Sequence, residues 1–406
     1  MLEELRALSQ KFIELRYKNY QRYFIKTNAL ASRCSIILGD RGIGKTTTII
    51  QYLMRHATDN ILYIQSDHIL LGNLTLYEIA EEFYKFGGEF IAFDEIHKYA
   101  NWSQELKSVI DTFPNLKIIA SGSSALEIHK GSHDLSRRAI VHTMDGMSFR
   151  EYMEIKLDIE LPVFKLDQLL TTHEKITAEI IKKIADKRIL ALFKDYLEHG
   201  YYPYHVEYSS LADFAITLEQ NIHTTIEVDL AAVHPELTGY SIKKIKQLIA
   251  YIATAVPFIP SWEKIKGIIE VKDNRTLKSY FKYLEDAALI RTLRSATKKL
   301  SGIEQVEKIY LSNTNQLYAI TNAPPNPGTV RETFFISMLQ QQHSLELPKS
   351  GDFYIDDKYT IEVGGKNKDM AQLKWLKERE NSYLALDNIE IGVANKIPLW
   401  LFGFIY

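Results

Sequence analysis

The feature that most constrains this chain is a glycine-rich turn between an apolar segment and a helical one. Residues 35–38 precede the turn and residues 46–54 follow it, which is the strand–turn–helix order that a phosphate-binding loop requires. Glycines in such a loop let backbone N–H groups surround phosphates, and the helix N-terminus adds positive potential. The pattern G-x-x-x-x-G-K-[ST] is matched by Gly39, Asp40, Arg41, Gly42, Ile43, Gly44, Lys45 and Thr46, and with Thr47 these are the predicted nucleotide-binding residues.

Two side chains of this loop have predicted roles. Lys45 is expected to reach the β- and γ-phosphates of a nucleotide, and the Thr46 hydroxyl is expected to bind Mg²⁺. The alternative is a glycine-rich turn that binds no ligand.

Apolar runs alternate with amphipathic stretches from residue 35 to about residue 144. The runs lie at residues 35–38, 61–64, 90–93, 116–120 and 139–142. Stretches such as 102–113 lie between them. This alternation predicts an α/β fold with a parallel sheet that helices cover on both faces.

The third apolar run ends in two acidic residues. Asp94 is placed to hold Mg²⁺, directly or through water, and Glu95 to polarise the attacking water. By itself an Asp-Glu pair also fits a helix N-cap on a surface turn. Ser121 follows the fourth run and is a candidate sensor of the γ-phosphate, and helix capping by Ser123 or Ser124 is the competing interpretation. No N-K-x-D motif occurs at the right place, so ATP is preferred over GTP.

Two arginines precede the fifth apolar run. Arg137 or Arg138 is a candidate arginine finger that acts on the nucleotide of a neighbouring subunit, which implies a homo-oligomer. A surface ion pair with a nearby acid is the alternative.

The length, the apolar runs and the cysteine content of the chain indicate its domain number and its cellular compartment. The chain has 406 residues, which predicts two to four domains. No run of about 18 apolar residues occurs, so no transmembrane helix is expected. A single cysteine, Cys34, excludes an intrachain disulfide and fits a reducing cytoplasm.

One segment is strongly basic although the whole chain carries a net charge of −2. Residues 241–300 contain 13 Lys or Arg and 5 Asp or Glu. Asp273 is expected to cap a helix whose outer face carries Arg275, Lys278 and Lys282, and these three residues are predicted to bind double-stranded DNA. A solvated basic face or a docking surface for an acidic protein is the alternative.

The tyrosines around Pro203 favour a packed helix–loop junction over a base-stacking platform.

Several further motifs resemble those of prokaryotic AAA ATPases with a C-terminal DUF4143-like region. The resemblance covers nearly the whole chain, and its motifs lie at residues 94–98, 121–124, 134–139, 148–152, 200–203, 307–315, 331–335, 361–366 and 397–404. It implies a P-loop AAA ATPase core at 1–155, a helical extension at 156–235, a winged helix-turn-helix at 236–321, and a small α/β PD-(D/E)XK-nuclease-like domain at 328–406.

The nuclease-like domain departs from its pattern at one position. Glu332, Asp352 and Glu362 match the usual metal ligands in order and element, but Gly364 stands where the pattern has lysine, and Lys366 comes two residues later. Nuclease activity is therefore expected to be weak or absent, with these residues maintaining the fold. If the site acts, Lys366 is expected to enter it from the same face of the strand, assisted by a bulge at Gly364 and Gly365.

The function predicted from the sequence is ATP hydrolysis with Mg²⁺, coupled to DNA binding through the winged helix. One alternative is a nucleotide-dependent protein-interaction switch or scaffold without a DNA substrate. Another is an ATP-regulated DNA endonuclease.

Overall fold

The computed structural model describes residues 2–406 except 57–59, 73, 124–127, 129–134, 136, 186, 256–258, 260, 296–305, 322 and 369–380. Ser124 and the last part of the basic segment, residues 296–300, lie outside the described residues. The chain forms two compact units. The first comprises Met1–Gly146, Tyr202–Tyr204 and Val228–His234, and the second comprises Met147–Tyr201, His205–Glu227 and Pro235–Tyr406.

A parallel five-stranded sheet forms the centre of the first unit. Its strands are β1 (Cys34–Leu38), β2 (Ile61–Gln65), β3 (Phe90–Asp94), β4 (Lys117–Gly122) and β5 (Ile140–Thr143), in the spatial order β2-β3-β4-β1-β5. All four pairings are parallel. The central strands are apolar and buried because helices cover both faces, as the continuous hydrophobic runs predict.

Five of the described helices in this unit lie before residue 113. They are α1 (Leu2–Arg16), α2 (Tyr23–Thr27), α3 (Lys45–Arg55), α4 (Leu76–Lys85) and α5 (Trp102–Thr112). α1 packs on β2, α3 packs on β3 and β4, and α4 packs on α5. A capping box of Thr75 and Glu78 fixes the start of α4. The α/β prediction for this part of the chain is confirmed.

The second unit begins with helices. α6 (Phe149–Leu157), α7 (Leu166–Lys183), α8 (Ile189–Asp195) and α9 (Leu211–Thr224) follow one another along the chain, and α6 opens with a capping box of Ser148 and Glu151. Among the described residues, none of the protein's helices combines the length and hydropathy that crossing a bilayer requires.

Three helices and a hairpin follow in the second unit. They are α10 (Gly239–Thr254), α11 (Trp262–Ile269), α12 (Asn274–Asp286), and the antiparallel pair β6 (Ile290–Arg294) and β7 (Val306–Leu311). Asp273 caps α12 by accepting a 2.8 Å hydrogen bond from the Thr276 N–H, as the sequence predicts. Leu277, Phe281 and Leu284 are buried on the inner face of α12.

A mixed sheet closes the second unit. α13 (Thr314–Ile320) and α14 (Pro327–Leu339) lead into β8 (Leu345–Glu346), β9 (Phe353–Ile355), β10 (Tyr359–Gly365), β11 (Ser382–Asp387) and β12 (Lys396–Pro398). β10, β11 and β12 are parallel, whereas β8 and β9 run antiparallel to their neighbours. α14 packs on β10 and on the turn Leu399–Phe404.

Candidate functional site

The glycine-rich loop connects β1 to α3 and needs glycine at two positions. Gly42 has φ 82° and Gly44 has φ 98°, and L side chains rarely adopt such backbone angles. α3 begins at Lys45, so Thr46 and Thr47 lie in its first turn with the helix N-terminus facing the loop. The structure therefore has the strand–loop–helix arrangement that phosphate binding requires.

Lys45 is directed back into this loop. Its ammonium donates 2.8 Å hydrogen bonds to the carbonyl oxygens of Gly39 and Asp40, and it lies 3.9 Å from a Glu95 carboxylate oxygen. Burial lowers the pKa of Lys45, and the nearby carboxylates of Glu95 and Asp94 act against that shift.

The Asp94 carboxylate accepts hydrogen bonds from hydroxyl groups on three secondary-structure elements. Thr46 and Tyr63 each donate a 2.6 Å hydrogen bond to Oδ2, and Ser121 donates a short one to Oδ1. Asp94 is buried, and its oxygens and the Thr46 hydroxyl are ligand types that Mg²⁺ prefers. The predicted pair Thr46 and Asp94 is thus in direct contact, and Ser121 joins it.

Tyr63 belongs to this group although the motifs do not indicate it. Its side chain comes from β2, which neighbours β3, and it is buried. Burial, together with the Asp94 charge, raises the pKa of Tyr63, so its hydroxyl stays protonated and donates. In the sequence, Tyr63 stands out only as a residue with a hydroxyl group inside an otherwise apolar strand. The order of the strands in the folded sheet is what shows that this hydroxyl reaches Asp94.

Glu95 follows the end of β3 in a left-handed backbone conformation, with φ 51°. Such a conformation is costly for a non-glycine residue and often occurs at functional sites. Ser123 donates a 2.8 Å hydrogen bond to Glu95 Oε2, and His97 Nε2 lies 3.5 Å from the same oxygen. The carboxylate is partly exposed, at 24%.

The charge states around Glu95 follow from these contacts. Burial raises the pKa of Glu95, but Lys45, His97 and Ser123 outweigh that effect, so the pKa lies below its ordinary value. Burial lowers the pKa of His97 to about 4, so near neutral pH its imidazole is uncharged. Glu95 is consequently a carboxylate that can orient water or accept a proton.

Arg22 anchors the loop from a position outside the motif. Its guanidinium donates a 2.7 Å hydrogen bond to the Ile43 carbonyl oxygen and further bonds of 3.0 and 2.7 Å to those of Asp145 and Gly146. It is buried, and it joins the loop to the chain that follows β5.

Two distant segments also belong to the first unit and contact the loop. The Tyr204 ring lies against Gly42, where any Cβ would overlap it, and the Tyr202 hydroxyl donates a 3.4 Å hydrogen bond to Asp40. Arg41 pairs with Asp229 at 2.9 Å. The predicted packed junction around Pro203 thus includes the phosphate loop itself.

The two candidate finger arginines differ in their surroundings. Arg138 makes a two-point ion pair with Asp111, at 2.7 and 3.0 Å. Arg137 is exposed and has φ 69°. Arg138 is therefore held by an ion pair within its own unit, whereas Arg137 is exposed.

The basic residues of α12 lie on one exposed face. Arg275, Lys278 and Lys282 are all exposed. The Lys278 ammonium lies 5.5 Å from the Trp262 ring centre, and Lys282 pairs with Asp286 at 2.6 Å.

The acidic residues of the C-terminal sheet come together, but with a different lysine from the one predicted. Lys366 is exposed in the turn after β10, whereas Lys368 pairs with Glu362. β10 also pairs with β11 in regular register through Gly365, so the predicted bulge does not form. Among the described residues, no group of three or more His, Cys, Asp or Glu is arranged to hold a metal ion.

Family models match two parts of the chain. Residues 31–153 match a model described as an AAA domain, and residues 190–326 match a domain of unknown function, DUF8612. The first segment, which holds the parallel sheet and the phosphate loop, is therefore similar to AAA domains. The likeness of the C-terminal part to DUF4143 remains a prediction from its motifs.

Two curated proteins of Methanocaldococcus jannaschii are similar to this chain. The uncharacterized protein MJ1637 is 28% identical over 207 residues, which cover 47% of this chain and only 41% of that protein. The uncharacterized protein MJ1544 is 24% identical over 405 residues, covering 91% of this chain and 83% of that protein.

Solved structures give a weaker likeness. The Walker-type ATPase PABY2304 of Pyrococcus abyssi has a TM-score of 0.43 at 12% identity, covering 76% of this chain and 99% of that one. Domain III of the replication initiation protein DnaA of Thermotoga maritima has a TM-score of 0.25 at 16% identity, covering 47% and 90%. At these scores the likeness adds nothing to the fold described above.

Proposed function

We propose that this protein binds ATP and hydrolyses it with Mg²⁺. The observation that carries this proposal is the 2.6 Å hydrogen bond from Thr46 to Asp94, because it joins the loop hydroxyl and the strand carboxylate that a nucleotide-bound Mg²⁺ requires. These two residues would hold the ion, which when bound offsets negative charge on the phosphates.

Other residues of the site would bind the phosphates and orient the attacking water. Lys45 would bind the β- and γ-phosphates through its ammonium, and the backbone N–H groups from Gly42 to Thr46 would surround them. Glu95 would orient the attacking water and accept its proton, because a hydrogen bond from Ser123 holds its carboxylate and its lowered pKa keeps it ionised.

The test is a comparison of nucleotide binding with turnover in two variants. Lys45→Ala should lose ATP binding, whereas Glu95→Gln should keep binding and lose hydrolysis. Glu89→Gln is the matched control, since Glu89 is exposed and precedes the opposite end of β3. A Glu95→Gln variant with unimpaired turnover and weakened binding would refute this assignment.

We further propose that ATP hydrolysis is coupled to DNA binding by residues 236–321. The order of three helices and a hairpin is that of a winged helix-turn-helix, and α12 presents Arg275, Lys278 and Lys282 outward. In this proposal residues 1–155 are the ATPase core, 156–235 a helical extension, and 328–406 a PD-(D/E)XK-like, DUF4143-like domain.

A nucleotide-dependent switch that binds another protein is the second candidate. It is favoured by the partial neutralisation of the basic face, since Lys282 pairs with Asp286 on the same helix. ATPase rates with and without double-stranded DNA, and DNA affinity over a range of salt concentrations, separate the two. Salt-dependent binding supports the DNA proposal, and no binding at low salt supports the switch.

Two further observations support proposals about the cellular compartment and the oligomeric state. Cys34 is buried, and burial raises its pKa to about 12, so it is an inert thiol consistent with a reducing cytoplasm. The exposure of Arg137 supports a homo-oligomer in which this side chain reaches a neighbouring nucleotide site.

A further inference from the structure

A cluster of charged side chains outside the ATPase site lies where α14, β7 and the C-terminal sheet meet. Lys308 on β7 places its ammonium 3.1 Å from Glu332 Oε2 and 3.0 Å from Asp352 Oδ1. Tyr310, on the same face of β7, donates a 2.7 Å hydrogen bond to Glu332 Oε2. The Lys308 side chain is only 12% exposed, so a positive charge is held between two carboxylates away from most of the solvent.

A second lysine completes the cluster. Lys368 pairs with Glu362 and donates a 3.1 Å hydrogen bond to the Val363 carbonyl oxygen. Its stem lies over Gly364, where a Cβ would overlap it. The glycine at this position therefore makes room for a lysine that comes from further along the chain.

Every acid of the cluster consequently has a cationic partner. Asp352 accepts a 3.0 Å hydrogen bond from the Val363 N–H through the oxygen that does not contact Lys308. A divalent ion held by Glu332 and Asp352 would need the space between them, which is where the Lys308 ammonium lies. The same two carboxylates cannot bind both cations at once.

We propose that Lys308 takes the place of a divalent cation in this cluster, so that the C-terminal sheet carries a metal-free ion-pair centre instead of a metal-dependent nuclease centre. Lys308 pairs with both Glu332 and Asp352 and thereby links β7 to α14 and to the segment before β9.

The proposal is tested by titrating the full chain with Mn²⁺ in the absence of nucleotide and measuring the heat of binding by isothermal titration calorimetry. The wild-type protein should show no saturable binding that depends on Asp352. Lys308→Met, which keeps the length and apolar stem of the side chain, should gain a saturable Mn²⁺ site whose affinity is at least about tenfold above any residual binding by the wild type. A unit charge at this distance is worth more than a decade in affinity even at an effective dielectric constant of about 20. Lys308→Arg should behave like the wild type.

The double variant Lys308→Met/Asp352→Asn tests whether the gained Mn²⁺ site includes Asp352. The double variant should lose that site. Far-ultraviolet circular dichroism checks that each variant is folded, and the wild-type titration remains informative if Lys308→Met is not. Mn²⁺ binding by the wild-type protein that Asp352→Asn removes would overturn the proposal. So would a folded Lys308→Met variant whose Mn²⁺ affinity is unchanged.

Discussion

The hydroxyl of Tyr63 donates a 2.6 Å hydrogen bond to Asp94 Oδ2, the same oxygen that accepts the Thr46 hydroxyl. Tyr63 comes from a neighbouring strand, so β2 fixes the orientation of a carboxylate that β3 supplies. Under the proposed function this makes Tyr63 a positioning residue for the metal-binding pair.

Tyr63→Phe should lower the ATPase rate several-fold and raise the Mg²⁺ concentration at half-maximal rate, because Asp94 loses one of its orienting donors. Loss of one such buried hydrogen bond should also cost roughly 1 kcal/mol of stability. Steady-state rates over a Mg²⁺ series measure both kinetic effects. Tyr52→Phe is the control, since Tyr52 is also buried in this unit but its hydroxyl bonds to the Leu30 carbonyl oxygen. Equal Mg²⁺ dependence in Tyr63→Phe and wild type would exclude the positioning role.

The sequence predicts the first unit well because its signals are local. Continuous apolar runs identify the five parallel strands, and the loop motif has the φ-positive glycines that its geometry requires. The contacts of Tyr63 and Arg22 are not predictable in this way. They depend on the strand order and on chain segments that meet only in the folded protein.

The C-terminal cluster shows the same limit. Counting along β10 predicts that Lys366 lies on the face of Glu362, but the strand ends at Gly365 and Lys366 enters an exposed turn. Lys368 reaches Glu362 because Gly364 leaves space for its stem. Lys308 belongs to a different sheet, and no spacing rule relates it to Glu332 and Asp352.

The burial of neutral His97 should make stability depend on pH. Its pKa is lowered to about 4 in the folded protein, against about 6.5 when unfolded, so the unfolded chain binds the proton first. The contribution is therefore fully present above about pH 6.5 and is lost as the pH falls towards 4, by up to about 3 kcal/mol.

Urea denaturation of wild type and His97→Asn at several pH values measures this effect. Burial also lowers the pKa of His142 and that of His199, so the wild-type curve contains their contributions as well. The difference between the two proteins isolates His97. It should be constant above pH 7 and change between pH 6.5 and 4, and parallel curves over the whole range would contradict the prediction.

Arg137 and Arg138 should respond differently to substitution. Arg137→Ala should reduce the ATPase rate, and mixing it with Lys45→Ala should restore part of the activity if the arginine acts on a neighbouring subunit. Arg138→Ala should instead behave like Asp111→Asn, because the two residues form one ion pair. Rates measured across mixing ratios test this, and a strictly monomeric protein with full ATPase activity would rule out the finger.

The basic face of α12 gives the last prediction. Arg275→Ala, Lys278→Ala and Lys282→Ala should each weaken DNA binding across sequences and reduce the salt slope by about one, since each removes one phosphate contact. Asp286→Ala should strengthen binding, because it frees the Lys282 ammonium from its 2.6 Å ion pair. Fluorescence anisotropy with a labelled duplex over a salt series measures the slopes. Lys85→Ala is the control, as Lys85 is an exposed base of the first unit that pairs with Glu81. If the α12 variants and Lys85→Ala shift the slope equally, binding is diffuse and α12 is not the DNA-contacting helix.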